Sequence, residues 1–217
     1  MAFIRLYQPE DFDAAADICR ATLPPSLSPF PHALRLAPYI WTHPYTLLSS
    51  STCYVLDDGN GRAVGYCIGC PDVKAFGAVY GRYVKEVLEP STEVEAPRSR
   101  DFREPWAING EVNEQALLQL AHDFDMAVLQ GKEILWETHR ATMHIDLLEE
   151  WQAKGWGRKL VEAFVESLRE QKGYEQGIHI GIAGDNGKVV AFYEKVGFRL
   201  QPGGEKWGGF WMLKDLE

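Results

Sequence analysis

The sequence predicts a single α/β domain spanning residues 1–217 and built on a central sheet. Three observations carry that reading. From residue 139 onward strand-like and helix-like stretches alternate: a strand over 139–148, a glycine-rich turn, a helix to Lys172, a strand over 177–183 and a helix over 188–196. A β-hairpin is written into residues 52–69, where two apolar runs flank the turn Asp57, Asp58, Gly59, Asn60, Gly61. At 217 residues with 46% hydrophobic side chains, the chain suits one well-buried core and falls short of two domains of ordinary size.

Residues 3–7 read as the first strand. Pro9, Glu10 and Asp11 then open a helix running to about Thr22, with acidic groups in the first turn where the helix dipole favours them. Pro24, Pro25, Pro29 and Pro31 end that helix, and a short one is expected over 33–41, before His43 and Pro44. The segment 71–137 carries two helical patterns, 76–88 and 114–129. They are joined by a charged, proline-bearing linker over 89–106, read as a solvated loop or a lid. In the following helix Leu160, Val161, Phe164, Val165 and Leu168 share one face, which must pack on the sheet. Asp185 is placed as the N-cap of the next helix, and strands near 198–200 and 209–213 close the chain. Strand, helix, strand in this order predicts a right-handed crossover that brings both helix N-termini to one edge of the sheet.

A formal charge of −9 argues against a nucleic-acid partner, which requires an extended basic face. No run has signal-peptide or membrane-spanning character, so a soluble, cytoplasmic protein is expected, with a nuclear location compatible. Cys67 and Cys70 have CxxC spacing, but no second pair follows and no His pair has ligand spacing. Together with Cys19 and Cys53 they are expected as buried free thiols, with no metal.

The chemistry concentrates in Gln152, Ala153, Lys154, Gly155, Trp156 and Gly157. A glycine-rich turn that opens a helix offers outward N–H groups and the positive end of a helix dipole, and so predicts a phosphate-bearing ligand, with Lys154, Arg158 and Lys159 as nearby cations. The P-loop pattern is absent and the dinucleotide pattern is incomplete. The spacing Gln152-x-x-Gly155-x-Gly157 resembles the acyl-CoA-binding turn of the GCN5-related N-acetyltransferase (GNAT) family. Asn186 and the run from Ala191 to Phe198 resemble the family's second half. A narrower likeness lies in residues 43–45, 64–69 and 143–148, which look similar to the acetyltransferase-like domains of O-GlcNAc hydrolases and their stand-alone relatives.

The resemblance implies a mixed, mostly antiparallel sheet with flanking helices, and makes the segment over about 71–137 a helical insertion between the third and fourth strands. It implies acetyl-CoA as co-substrate, with pyrophosphate on the N–H groups from Gln152 to Arg158, pantetheine paired to the main chain of Leu147 and Leu148, and Asn186 reaching pantetheine from the next junction. It implies direct attack of an amine on the thioester, with Tyr193 as general acid toward the leaving thiolate. Asp146 and His144 alternate onto one strand face and are the candidate bases, His144 by titrating near neutral pH and Asp146 by taking a proton through water or holding a cationic amine. Glu137 is a third candidate, and His179 is read as structural or exposed. The alternative is a catalytically inactive acyl-CoA-binding or interaction module. Tyr80, Tyr83 and Trp106 are expected either to line an acceptor pocket or to form a helical core of their own, and a homodimer is compatible with the sequence.

Overall fold

The computed structural model describes residues 1–171 and 176–216. Strand β1 (Phe3–Leu6) leads through a 3₁₀ turn at Pro9–Asp11 into α1 (Phe12–Ala21). Arg5 fastens this start, donating to Asp11 at 2.7 Å and to Asp57 at 2.9 Å. Helix α2 (Pro31–Trp41) begins on a proline, whose missing N–H has no intrahelical role there. A further helix follows, α3 (His43–Leu48), where the sequence suggested only an end. Pro44 falls in its first turn, the one helical site that tolerates proline. The expected hairpin forms as β2 (Tyr54–Asp57) and β3 (Ala63–Cys70), closed by Asp57 accepting from the Gly59 and Gly61 N–H groups.

The insertion contains α4 (Val73–Tyr83), continued by a π turn at Val84–Leu88, and a separate two-stranded sheet of β4 (Ala107–Ile108) and β5 (Glu111–Val112). It ends with α5 (Glu114–His122) and α6 (Glu133–Trp136). The single helix expected over 114–129 breaks at Asp123, which is extended and accepts from the Met126 N–H at 2.9 Å, capping a new turn. The 89–106 linker is fastened rather than free: Val94 is buried in the core, and Gln115 and Gln119 of α5 accept from the Arg98 and Glu104 N–H groups. Tyr80 and Tyr83 are core residues, donating to the carbonyls of Ala121 and Tyr39, while Trp106 is half exposed.

Strand β6 (Ala141–Leu147), α7 (Trp156–Arg169) and β7 (Ile178–Ile182) form the crossover, followed by α8 (Val190–Lys195), β8 (Arg199–Leu200) and β9 (Phe210–Lys214). The expected helix end at Lys172 lies outside the described residues. The seven-stranded sheet has the order β1-β2-β3-β6-β7-β9-β8, antiparallel throughout except for β6 with β7. One face packs on α1 to α5. The other carries α7 and α8, with Leu160, Val161, Phe164, Val165 and Leu168 all buried as the periodicity requires. The four cysteines are buried and unpaired. Cys67 and Cys70 join opposite cores, three positions apart on a strand, which separates them as a chelating or redox pair. Among the described residues no helix is long and apolar enough to cross a membrane.

Candidate active site

The site begins where two parallel strands part. Pairing between β6 and β7 is confined to Ala141 with Ile178 and Thr142 with His179; beyond it, β6 is bonded only to β3, and β7 only to β9. The parted section of β6 holds His144, Asp146 and Leu147. Parity decides which backbone groups face the opening. The Leu148 N–H donates to Val64 across the β3 side at 3.0 Å, so Leu148, Asp146 and His144 direct their main chain at β3, and Ile145 and Leu147 direct theirs at the gap. This corrects the expected edge pair: Leu148 is committed, and Ile145 takes its place beside Leu147. The Leu147 carbonyl accepts from Gln152 Nε2 at 2.8 Å.

The turn between β6 and α7 is built by unusual backbone. Ala153 has φ of 56° and Gly155 φ of 83°, both left-handed, the former at a penalty of roughly 1 kcal/mol for a side chain bearing Cβ. Gly155 is the N-cap of α7 and carries no capping side chain, leaving the first-turn N–H groups open to a ligand or water. Gly157 is small for another reason than phosphate approach: a Cβ there would lie 3.1 Å from the Phe192 ring. The cations divide. Lys159 lies over the Trp156 ring and Lys154 over Trp151, whereas Arg158 turns aside to donate to the Lys195 carbonyl at 3.1 Å.

Across the gap, β7 runs into a 3₁₀ turn at Gly184–Val189 that carries Asn186, half-buried and non-helical. Asp185 does not cap α8, whose N-cap is Val189; its carboxylate instead accepts from the Ser26 N–H at 2.6 Å, tying the proline-rich loop after α1 to this turn. On α8 Tyr193 packs edge-on to Phe192 and Phe198. Burial, with Asp146 and Cys67 nearby, pushes its phenol well above the usual range, so it holds its proton at neutral pH.

Asp146 and His144 do share a face, but in different states. Asp146 accepts from the Tyr66 hydroxyl at 2.7 Å, and burial raises it to about 6 against the opposing hydrogen bonds of Tyr66 and Thr22. His144 packs against Tyr45, ring centroids 5.2 Å apart, and burial lowers it to about 4. It is neutral at physiological pH, which overturns the expected near-neutral titration. Glu137 is exposed at the end of α6, off the strand. His179 is structural: buried, with Nδ1 at 2.5 Å from the His139 carbonyl. The segments around Tyr45, Tyr66 and Asp146, far apart in sequence, thus meet on one face of β6. The sequence assigned no role to Tyr66, Thr22 and Ile145: strand register reveals Tyr66 and Ile145, and the packing of α1 on the sheet reveals Thr22. Among the described residues no group of three or more His, Cys, Asp or Glu side chains is arranged to hold a metal ion.

The model of the acetyltransferase (GNAT) family matches residues 95–198. No curated protein matches the sequence significantly. Among solved structures, that of SsHAT superposes with a TM-score of 0.80 at 27% identity, covering all of this chain and 98% of that one. A putative acetyltransferase from Salmonella typhimurium, yncA, solved with its cofactor acetyl-CoA, gives a TM-score of 0.53 at 15% identity over all of this chain and 95% of its own. YhbS from Escherichia coli, a GNAT family N-acetyltransferase in complex with CoA, gives 0.51 at 17% identity, over 100% and 82%. These two show likeness of fold. The chain thus has a GNAT-like α/β fold along its whole length, and its residues 95–198 match the model of the acetyltransferase (GNAT) family.

Proposed function

We propose that this protein transfers the acetyl group of acetyl-CoA to an amine by direct attack on the thioester. The observation that carries the reading is the parting of β6 from β7 after Thr142 and His179, with the open N-terminus of α7 at its mouth. The pyrophosphate sits on the N–H groups from Ala153 to Arg158, through Lys154, Gly155, Trp156 and Gly157; the Gln152 N–H, expected among them, already donates to the Glu149 carbonyl at 3.1 Å. Pantetheine pairs with the main chain of Ile145 and Leu147, and Asn186 reaches it from the β7 side. Asp146, with its proton affinity raised by burial, receives a proton from the acceptor ammonium. The amine nitrogen bonds the acetyl carbon, the carbon–sulfur bond breaks, and the thiolate takes a proton from Tyr193, which regains one from the amide nitrogen or solvent. The products are an amide and CoA thiol. His144, neutral, shapes the acceptor wall. We place the chain beside the acetyltransferase-like domains of O-GlcNAc hydrolases and their stand-alone relatives, on residues 43–45, 64–69 and 143–148, which meet on one face of β6 through Tyr45 with His144 and Tyr66 with Asp146.

Thiol release from acetyl-CoA across a panel of small amines, amino sugars and peptide amines tests the reading. Turnover is expected, and Tyr193→Phe is expected to lower it by about 10² to 10⁴ while CoA still binds. Unchanged turnover in Tyr193→Phe removes that assignment. Calorimetric binding of acetyl-CoA with no turnover on any amine makes the protein a non-catalytic acyl-CoA-binding module instead.

A further inference from the structure

We propose that Tyr66 is a positioning residue for Asp146: its hydroxyl pins one carboxylate oxygen, leaving the other to face the acceptor amine. The inference rests on the acetyl-transfer reading above and adds a residue to it. Tyr66 and Asp146 are direct cross-strand partners in the β3–β6 register, so their side chains rise together from the same face of the sheet. The hydroxyl lies 2.7 Å from Asp146 Oδ2, and Tyr66 itself is 1% exposed. Thr42 Oγ1 stands 3.4 Å behind the phenol, at the junction of α2 and α3. The carboxylate is thereby held from behind by a donor whose ring is itself fixed in the core.

A buried phenol beside a carboxylate is a permanent donor. Burial and the neighbouring Asp146 charge both push Tyr66 well above its ordinary range, so the proton stays on the phenol throughout the working pH. Oδ2 is occupied in every state of the cycle, and an incoming proton is directed to Oδ1. The groups close enough to Asp146 to interact with it are Cys19 and Thr22 of the α1 segment and Tyr66 of β3 on its own side of the sheet, and Cys67 of β3 and Tyr193 of α8, which belong to the opposite core. His144 precedes it by two on the same strand face. Cys19, Cys67 and Tyr193 are all raised by burial and stay neutral, and His144 is neutral as well. Among the described residues no salt bridge joins Asp146 to a cation. Hydrogen bonding, chiefly from Tyr66, is therefore what holds its ionised form against desolvation.

The test is the acid limb of kcat/KM against pH. For the wild type the limb is expected near pH 6. Tyr66→Phe is expected to move it upward by about one pH unit, because the lost donor favoured the ionised carboxylate. Replacing Tyr66 by 3-fluorotyrosine, whose phenol is the stronger donor, is expected to move it downward. A purely structural role predicts no such pair of opposite shifts. Both variants are first shown folded by wild-type binding of CoA, and if Tyr66→Phe fails this check the fluorotyrosine protein alone decides. A limb that stays in place in the folded variants overturns the role of Tyr66 and leaves the acetyl-transfer reading intact. A wild type that turns over without a limb near pH 6 overturns Asp146 as base, and Tyr66 with it. A wild type without turnover overturns the underlying reading.

Discussion

Gln152 Nε2 donates to the Leu147 carbonyl at 2.8 Å, clasping the glycine-rich turn to the end of the strand it leaves. The residue that the turn pattern demands thus holds the shape of the turn, whether or not it also meets a phosphate. Gln152→Ala is expected to weaken CoA binding by about three- to tenfold, the worth of one hydrogen bond of roughly 1 kcal/mol. Calorimetry reads this directly; an unchanged affinity would show the clasp to be dispensable.

The two glycines of the turn should fail for different reasons. Gly155→Ala is strained by its φ of 83°, at roughly 1–2 kcal/mol, and no neighbour can relieve it. Gly157→Ala instead drives a methyl against the Phe192 ring at 3.1 Å. Overpacking of about 1–3 kcal/mol exceeds the helix propensity gained, at most about 1 kcal/mol. Pairing each alanine with Phe192→Leu in a double-mutant cycle should recover stability for position 157 alone.

Asp146 carries a stability cost for its burial. Its pKa is raised in the fold from 3.8 to about 6, so its contribution favours folding below pH 3.8 and is lost as pH rises through 6. Asp146→Asn, neutral at every pH, is therefore expected to be more stable than the wild type at pH 7.5 by up to about 3 kcal/mol, and to lose about two-thirds of that advantage by pH 4.5. It should also abolish the acid limb along with most of the turnover. Urea midpoints at the two pH values check the first part; an equal difference at both would count against a buried ionised carboxylate.

Acid should unfold the protein through its histidines. Burial lowers His43 to about 3 and both His144 and His179 to about 4, from an ordinary 6.5. Groups depressed in this way contribute fully above pH 6.5 and lose their contribution as pH falls toward 4. Three such histidines outweigh the opposite slope of Asp146, so melting temperature should drop over this window. His43 stacks on Phe12 at 3.7 Å with a buried, unpartnered Nδ1, so His43→Phe is expected to keep the stacking and flatten the acid slope. A melting profile as steep as the wild type's would exclude His43 as a contributor.

The parts of the fold legible in the sequence were those with local causes. The hairpin at Asp57 to Gly61, the buried stripe of α7 and the glycine turn are each fixed within a few residues by turn chemistry or by a period of 3.6. The break at Asp123 was not legible, because a capping aspartate and a surface aspartate look alike until the chain turns. Nor was the fate of Asp185, since its partner, the Ser26 N–H, lies 159 residues away.

The same division runs through the candidate site. The sequence by itself determined the alternation of strand and helix, the turn that opens α7, and the placement of His144 and Asp146 on one strand face, because side-chain alternation and backbone φ are short-range properties. Only the tertiary structure decided that Leu148 is bonded to Val64 while Ile145 and Leu147 face the gap, that His144 is neutral, and that Asp146 is held by Tyr66. Those outcomes depend on register between strands 80 residues apart and on the desolvation that their packing imposes, and neither quantity exists until the sheet has formed.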